Sequence, residues 1–223
     1  MPARDEALTI ANNIAAAKAC RYVRDVIVVD DGSSDDTAER AREAGAKLIQ
    51  RQLDESGSKA HAMDAGIRAS DADAFLFVDA DCTDLTGAHL DAICKPFLEG
   101  RCEMSLGMFD YGRLWNSVVP RVHPLTGERI IHRWVWDAIP PHKLDGYTIE
   151  ARINEVISER RLKTVARTMR GVFHRTKRVK HGRLEGVLRT LDMYREILSM
   201  VWPIGDIRWR TYWFYVRGLT VEQ

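Results

Sequence analysis

The chain has 223 residues, enough for one sizeable domain, and its 45% hydrophobic content can fill a core. The formal charge of +1 excludes a strongly polycationic or polyanionic protein, but it hides an asymmetry: residues 1–110 carry 12 Lys and Arg against 21 Asp and Glu (net −9), while residues 111–223 carry 21 against 11 (net +10). An acidic half able to hold a cation is thus joined to a basic half able to meet phosphates or an anionic surface. No run of about 18 apolar residues exists, so nothing reads as a membrane-spanning helix. The start lacks the basic-then-apolar pattern of a secretory signal, which gives a cytoplasmic expectation. Cys20, Cys82, Cys94 and Cys102 form no CxxC pair and no zinc spacing, and are expected to be reduced and buried.

In chain order, Ile10, Ile14 and Ala17 at helical spacing predict a helix reaching Cys20. Val26–Val29 is a β-branched run, read as a buried strand, and it ends in Asp30-Asp31-Gly32-Ser33-Ser34-Asp35-Asp36-Thr37. That cluster offers N-caps for a helix over Thr37–Ala44, with Gly45 closing it. Lys47–Ile49 reads as a short strand. Gly57-Ser58-Lys59 leads into a helix over Ala60–Ala69. Phe75–Val78 is a strand, followed by a helix over Gly87–Leu98. Strand and helix alternate as in an α/β fold with a parallel sheet. Glu103–Met108 is expected as a further strand, Leu125–Ile139 as a short helix between prolines, Gly146–Arg160 as a helix, Leu162–Val172 as extended, and Glu185–Met200 as a helix. The end, from Ile207 to Arg217, is basic and aromatic.

The chemistry concentrates in Phe75-Leu76-Phe77-Val78-Asp79-Ala80-Asp81. If strand geometry persists past Val78, Asp79 and Asp81 point the same way. Open α/β sheets bind ligands beyond the carboxyl ends of their strands, and paired carboxylates there suit Mg2+ or Mn2+. Capping of the next helix, or a polar turn, is the plainer alternative. A second acidic strand end follows Val29, and both would face one crevice. A diphosphate beside bare carboxylates is repelled by about 4 kcal/mol per contact at ~4 Å and an effective dielectric near 20. A divalent cation reverses that sign.

Four segments occur in register: Pro2-Ala3-Arg4-Asp5-Glu6, Val28 through Thr37, Gly57-Ser58-Lys59-Ala60 with Ala65-Gly66, and Phe77 through Asp81. As a set they resemble family 2 glycosyltransferases with the GT-A fold, over roughly residues 1–110. The resemblance implies an α/β GT-A fold with a mostly parallel central sheet flanked by helices. It implies a hexosyltransferase that takes a UDP- or GDP-sugar and uses Mg2+ or Mn2+. Pro2, Ala3, Arg4 and Glu6 would line the nucleotide pocket, Asp31 would meet the base, and Gly32 would let the backbone approach. Lys59 would reach the ribose or diphosphate. Asp79 and Asp81 would be the DxD pair, with Asp79 and Ala80 on the donor and Asp81 on the metal. Ser58 stands where a lysine is frequent, and Asp64 where an asparagine is common.

The second half resembles the family less tightly. Pro124-Leu125-Thr126-Gly127-Glu128-Arg129 is similar to the acceptor loop of glucosyl-3-phosphoglycerate synthases, which would place Thr126, Gly127 and Glu128 at the acceptor. Gly146-Tyr147-Thr148-Ile149-Glu150 is similar to their following acidic helix. Gly171-Val172-Phe173-His174-Arg175 falls where such enzymes supply a histidine to the metal, although a lone histidine is as readily an ordinary surface or core residue. Glu128 and Glu150 compete as general base; a helix-start charge and an intrahelical ion pair are their plainer roles. A retaining transfer, or transfer to an anionic phosphate oxygen, needs no base. Ten Lys and Arg with no acid lie between Arg160 and Arg183. They read as a solvated basic face or as a site for a phosphorylated or lipid-phosphate acceptor, and without interleaved aromatics they do not read as a nucleic-acid patch. The aromatic end either packs on the domain's own core or meets a membrane interface.

Family members place an apolar strand before the Pro-Ala motif, whereas here Met1 directly precedes Pro2. The first strand is therefore expected to be missing. Burying three side chains of such a strand would stabilise by roughly 5–9 kcal/mol against a total of ~5–15. The expectation is either a natural start further upstream or a chain that folds poorly and binds nucleotide weakly. The organisation so read is a nucleotide-sugar half (1–110), an acceptor half (111–200) and a tail (201–223). A polyprenyl-phosphate acceptor at a membrane surface, peripheral membrane contact, a homodimer and a non-catalytic nucleotide-binding or interaction protein remain open. A nucleotidyltransferase is disfavoured by the absence of a GxGTR opening, and a dinucleotide oxidoreductase by the absence of GxGxxG after the first strand.

Overall fold

The computed structural model describes residues 1–51, 58–110, 116, 126–144, 149–174 and 209–222. Gly57, Pro120, Pro124, Leu125, Gly146–Thr148, Arg175 and the helix expected over Glu185–Met200 lie outside the described residues.

The described strands form three sheets. In the first, β2 (Ile27–Asp30) lies between β1 (Pro2–Ala3) and β3 (Lys47–Gln50), parallel to both. Val28 and Val29 are buried, as an apolar β-branched run in a parallel sheet demands. The strand expected to be missing is present only as Pro2 and Ala3, in register with Val29 and Asp30. The second sheet runs β10–β8–β6–β7–β4, made of Leu219–Glu222, Thr164–Met169, Met104–Phe109, Arg129–His132 and Ala74–Phe77. Here β10, β8 and β6 are parallel, while β7 is antiparallel to both neighbours. The third pairs β5 (Cys82–Thr83) with β9 (Phe173–His174). β1 and β4 stand at edges of separate sheets, with no ladder between them among the described residues.

Alternation along the strands divides the core. Met104, Leu106, Met108, Ile131 and Ala166 face one cluster. There they meet Ile149, Ile153 and Ile157 of α6 (Ile149–Glu159), Val135 and Trp136 of α5 (Arg133–Asp137), and Tyr215 of α7 (Trp209–Gly218). Ile130, Val165 and Phe109 face the other side, against Leu90, Ile93 and Phe97 of α4 (Gly87–Leu98) and Ala16 and Ala17 of α1 (Ile10–Ala19). A third cluster joins α1 and α2 (Thr37–Glu43) to β1 and β2 through Ala3, Ile10, Ile14, Val28 and Ala41. α3 (Lys59–Arg68) packs its Ala60, Met63 and Ile67 into the first cluster.

Two expectations are corrected. Ile130 and Ile131 belong to a strand rather than to a helix over Leu125–Ile139; pairing with β4 and β6 overrides local propensity. The helix is only Arg133–Asp137. Of the two readings of the aromatic end, the described part follows the one in which it packs on the domain's own core. α7 packs on α6, Tyr215 is 3% exposed, and β10 closes the sheet beside β8. Trp213 remains exposed at 57%.

Candidate active site

β4 ends at Phe77, and Val78-Asp79-Ala80-Asp81 turns away from the strand. Strand geometry therefore does not extend to the carboxylates, and Asp79 and Asp81 are oriented by a turn. That turn is fixed from behind. The Ala80 carbonyl accepts hydrogen bonds from Thr9 Oγ1 at 2.7 Å and Asn13 Nδ2 at 2.9 Å, and Asn13 also donates to the Cys82 carbonyl at 3.0 Å. Asn13 is 1% exposed, so its amide is committed to this backbone.

Asp79 faces Lys59 at the start of α3. Lys59 Nζ stands 2.7 Å from Asp79 Oδ1 and 2.7 Å from Glu150 Oε1. Burial alone would lower the Lys59 pKa, but Asp79 and Glu150 outweigh it and hold the ammonium well above the ordinary lysine range. Burial likewise raises the Glu150 carboxyl, and Lys59 and Arg129 overturn that and keep it below the usual carboxylate range. Asp79 also lies against the backbone of Gly127. A Cβ there would overlap the Asp79 carboxylate, so any larger residue would force that carboxylate to shift. Lys59 at the start of α3, Asp79 of the turn, Gly127 and Glu150 of α6 thus meet at one point.

Beneath them lies a buried layer. Thr126 Oγ1 is 2.7 Å from both the Gly107 carbonyl oxygen and Glu128 Oε2. Cys82 Sγ donates to Glu128 Oε1 at 3.0 Å. Burial first, and then Glu128, push the Cys82 thiol far up, so it stays a donor. Glu128 is 0% exposed and Thr126 3%. Arg129, also 0% exposed, donates from Nε at 2.9 Å to the Thr126 carbonyl. Its Nη1 donates to the Glu150 carbonyl at 3.2 Å and to Asn154 Oδ1 at 3.0 Å. Burial drives its pKa down against the pull of Glu150, yet a guanidinium keeps its charge in proteins.

The remaining predicted residues lie along β1 and β2. The Ala3 carbonyl accepts from the Asp31 amide at 2.8 Å. Asp5, in the left-handed region at φ 56°, accepts from the Ser34 amide at 2.7 Å. The Glu6 amide donates to Thr37 Oγ1 at 2.7 Å. These bonds clasp the Pro2–Glu6 segment to the loop that Gly32 turns at φ 74°. Arg4 is exposed and Glu6 buried. Asp81 is half-buried. His174 is in register with Cys82, the residue after Asp81. Among the described residues no three His, Cys, Asp or Glu converge as a metal cage.

Sequence reasoning missed Thr9, Asn13, Cys82, Arg51 and the anchoring role of Arg129. A signal existed for two of them. Thr9 and Asn13 are uncharged hydrogen-bonding residues at i, i+4 beside Ile10 and Ile14, on the face that turns inward.

Comparison with known proteins fits this geometry. The sequence model described as "Glycosyl transferase family 2" matches residues 1–145. The 4,4'-diaponeurosporenoate glycosyltransferase of Staphylococcus aureus (strain USA300) is 36% identical over 100 residues, which are 44% of this chain and 27% of that protein. The chain thus spans about a quarter of the length of the curated relatives it matches. Glucosyl-3-phosphoglycerate synthase from Mycobacterium tuberculosis, in complex with Mn2+, UDP and glucosyl-3-phosphoglycerate, superposes with a TM-score of 0.71 at 22% identity, covering 89% of this chain and 75% of that one. Its complex with Mn2+, UDP-glucose and phosphoglyceric acid gives 0.66, with 80% and 71% covered. The likeness establishes the GT-A fold. With a family pattern running from Met1 to residue 145 and that fold around the DxD turn, the chain belongs to glycosyl transferase family 2.

Proposed function

We propose that this chain moves a sugar from a nucleotide-diphosphate sugar to an acceptor. The observation that carries the proposal is the convergence of Lys59, Asp79 and Gly127: donor loop, DxD turn and acceptor loop touch at the carboxyl end of β4, where open α/β sheets bind ligands. In this reading Lys59 carries the positive charge that the diphosphate meets. Asp79 accepts a hydroxyl of the ribose or sugar, and the Pro2–Glu6 and Asp31–Gly32 segments hold the nucleotide. Carboxylate oxygen at Asp81, beside a turn with no complete protein cage among the described residues, fits a hard cation finished by phosphate oxygens and water. Such a cation, Mg2+ or Mn2+, supplies charge stabilisation to the departing diphosphate. His174 is a candidate second ligand because its register sets it beside the turn.

A second choice concerns the base. Glu128 is sealed in the interior, and Glu150 is bound to Lys59 and made more acidic by it. A general base needs reach to the acceptor and a pKa near the working pH. Neither carboxylate meets both conditions. This supports a transfer that needs no protein base, either a retaining transfer or one onto an anionic oxygen such as a phosphorylated acid or lipid phosphate. The proteins named above differ, one being a diaponeurosporenoate glycosyltransferase and the other binding phosphoglyceric acid, so the acceptor of this chain is left to experiment.

The test is a screen of UDP- and GDP-sugars for released nucleotide with Mn2+, Mg2+ or EDTA. Release that needs the cation and is lost in Asp81→Ala supports the enzyme. Nucleotide binding unaffected by EDTA and by Asp81→Ala, without turnover, would favour the non-catalytic alternative.

A further inference from the structure

A second charged pair stands at the same edge of the fold. Asp31 follows β2 and Arg51 follows β3, parallel neighbours whose last residues, Asp30 and Gln50, are in register. The pairing runs one step further, because the Arg51 amide donates to the Asp30 carbonyl at 3.0 Å. The two strand ends are thereby held side by side, and Arg51 Nη1 donates to Asp31 Oδ1 in a close ion pair. The Asp31 side chain is 7% exposed and that of Arg51 26%. An exposed ion pair contributes little, but a carboxylate this far out of water has to be paired.

The pairing is nevertheless incomplete. Among the described residues Asp31 Oδ2 has no donor, and the rest of the Arg51 fork has no acceptor. One acceptor oxygen therefore lies beside several planar donors, at the carboxyl ends of two parallel strands where ligands of open sheets bind. A planar heterocycle that carries a ring N–H next to a carbonyl completes both halves. Uracil and guanine have that lactam edge. Cytosine and adenine carry a bare ring nitrogen there, and its lone pair would face the carboxylate.

We propose that Arg51 is a specificity-determining residue of the donor site: with Asp31 it reads the lactam edge of a uracil or guanine base, Asp31 Oδ2 accepting the ring N–H and Arg51 donating to the adjacent carbonyl oxygen. The inference rests on the nucleotide-sugar reading above. The fork matters as well as the charge, since a lysine at this position would supply a point charge without the planar donors.

Calorimetric titration of the full chain with UDP, GDP, CDP and ADP in Mn2+ tests it. Wild type binds UDP or GDP at least about tenfold more tightly than CDP and ADP, a margin of about 1.4 kcal/mol. Arg51→Met brings that ratio to within about threefold, by weakening UDP or GDP. Arg51→Lys restores only part of it. Thermal melting of the same variants separates recognition from folding. A variant that melts lower yet keeps the wild-type ratio of UDP to CDP overturns the proposal. Should Arg51→Met not fold, Arg51→Lys and Asp31→Asn decide; the latter offers an N–H where the carboxylate accepted and shifts preference toward CDP if the proposal holds. A wild type that binds no nucleoside diphosphate overturns the donor-site reading and this inference with it. A wild type that binds UDP while Arg51→Met keeps the full ratio overturns the inference alone.

Discussion

Lys59→Met is the sharpest perturbation of the site. The ammonium lies 2.7 Å from one oxygen of Asp79 and 2.7 Å from one of Glu150, and both carboxylates are largely out of water. Without it the two carboxylates face each other, and like charges at ~5 Å with an effective dielectric near 20 repel by about 3 kcal/mol. A chain of this size loses about 2–4 °C in Tm per kcal/mol, so a fall of about 10 °C is expected at pH 7. The pH dependence carries the diagnosis. In the wild type Glu150 is more acidic folded than unfolded, so its contribution is complete above the unfolded value near ~4.3 and is lost as pH falls through the lower folded value. Lys59 is raised, so its contribution is complete below the unfolded value near ~10.4 and is lost only as pH rises through the folded one. Between pH 5 and 8 the wild type therefore gains nothing from this cluster on acidification. In Lys59→Met the sign reverses. Burial and the neighbouring Asp79 charge then raise the Glu150 carboxyl, the native state binds a proton more readily than the unfolded chain, and stability climbs as pH falls from 8 to 5. Urea denaturation at pH 8, 7, 6 and 5 measures this. A variant whose profile runs parallel to the wild type, or which loses less than about 1 kcal/mol at pH 7, refutes the cluster as drawn.

Three further substitutions probe separate layers. Gly127→Ala drives a methyl into Asp79, so the carboxylate must leave Lys59; nucleotide-sugar affinity measured by calorimetry falls by about tenfold (~1.4 kcal/mol), and the Tm falls as well because the Asp79–Lys59 contact is lost. Arg129→Met strips the guanidinium from the Thr126 and Glu150 carbonyls and from Asn154, and loses about 3 kcal/mol or more in urea melts at pH 7. Ser105→Ala goes the other way: the residue is 0% exposed and its hydroxyl has no hydrogen-bond partner among the described residues, so removing it leaves stability unchanged or raises it by about 1 kcal/mol.

The parts of the fold legible from the sequence are those whose signal is local. Val28 and Val29 announce a buried strand, and the helix over Gly87–Leu98 shows its spacing and its Thr86 cap. The family was legible because fixed residue types recur at fixed offsets over the part of the chain that its model matches. What failed depended on partners distant in the chain. Ile130 and Ile131 read as helix because an apolar pair near prolines carries no period of its own; the strand exists only because Phe75–Leu76 and Met104–Ser105 flank it. Arg51 was silent for the same reason, since nothing in Leu48-Ile49-Gln50-Arg51 reveals that its neighbour is Asp31 rather than water. The Glu150 ion pair was foreseen within a helix, yet its partner is Lys59, 91 residues earlier.

That long-range pair also bears on how parts of the site distant in the chain are held together. β1 contributes only Pro2 and Ala3, and no ladder joins its sheet to the one that ends in β4 among the described residues. Among the described residues, side chains tie the loops that follow β1 and β2 to the Asp79–Asp81 turn after β4. Thr9 and Asn13 of α1 reach the Ala80 carbonyl across the divide, and Met1 packs into the clusters on both sides of it. Two hydrogen bonds to one carbonyl, each worth about 1 kcal/mol net, then bear directly on the angle of the DxD turn. Asn13→Ala removes one of them and leaves the Cys82 carbonyl without its donor as well. The expected result is a modest loss of about 1–2 kcal/mol in stability and a larger fractional loss in cation-dependent nucleotide binding, because a turn that tilts moves Asp79 and Asp81 together. Parallel melts and Mn2+-dependent UDP titrations measure the two effects. Binding that falls only in proportion to stability would mean that the turn is held elsewhere.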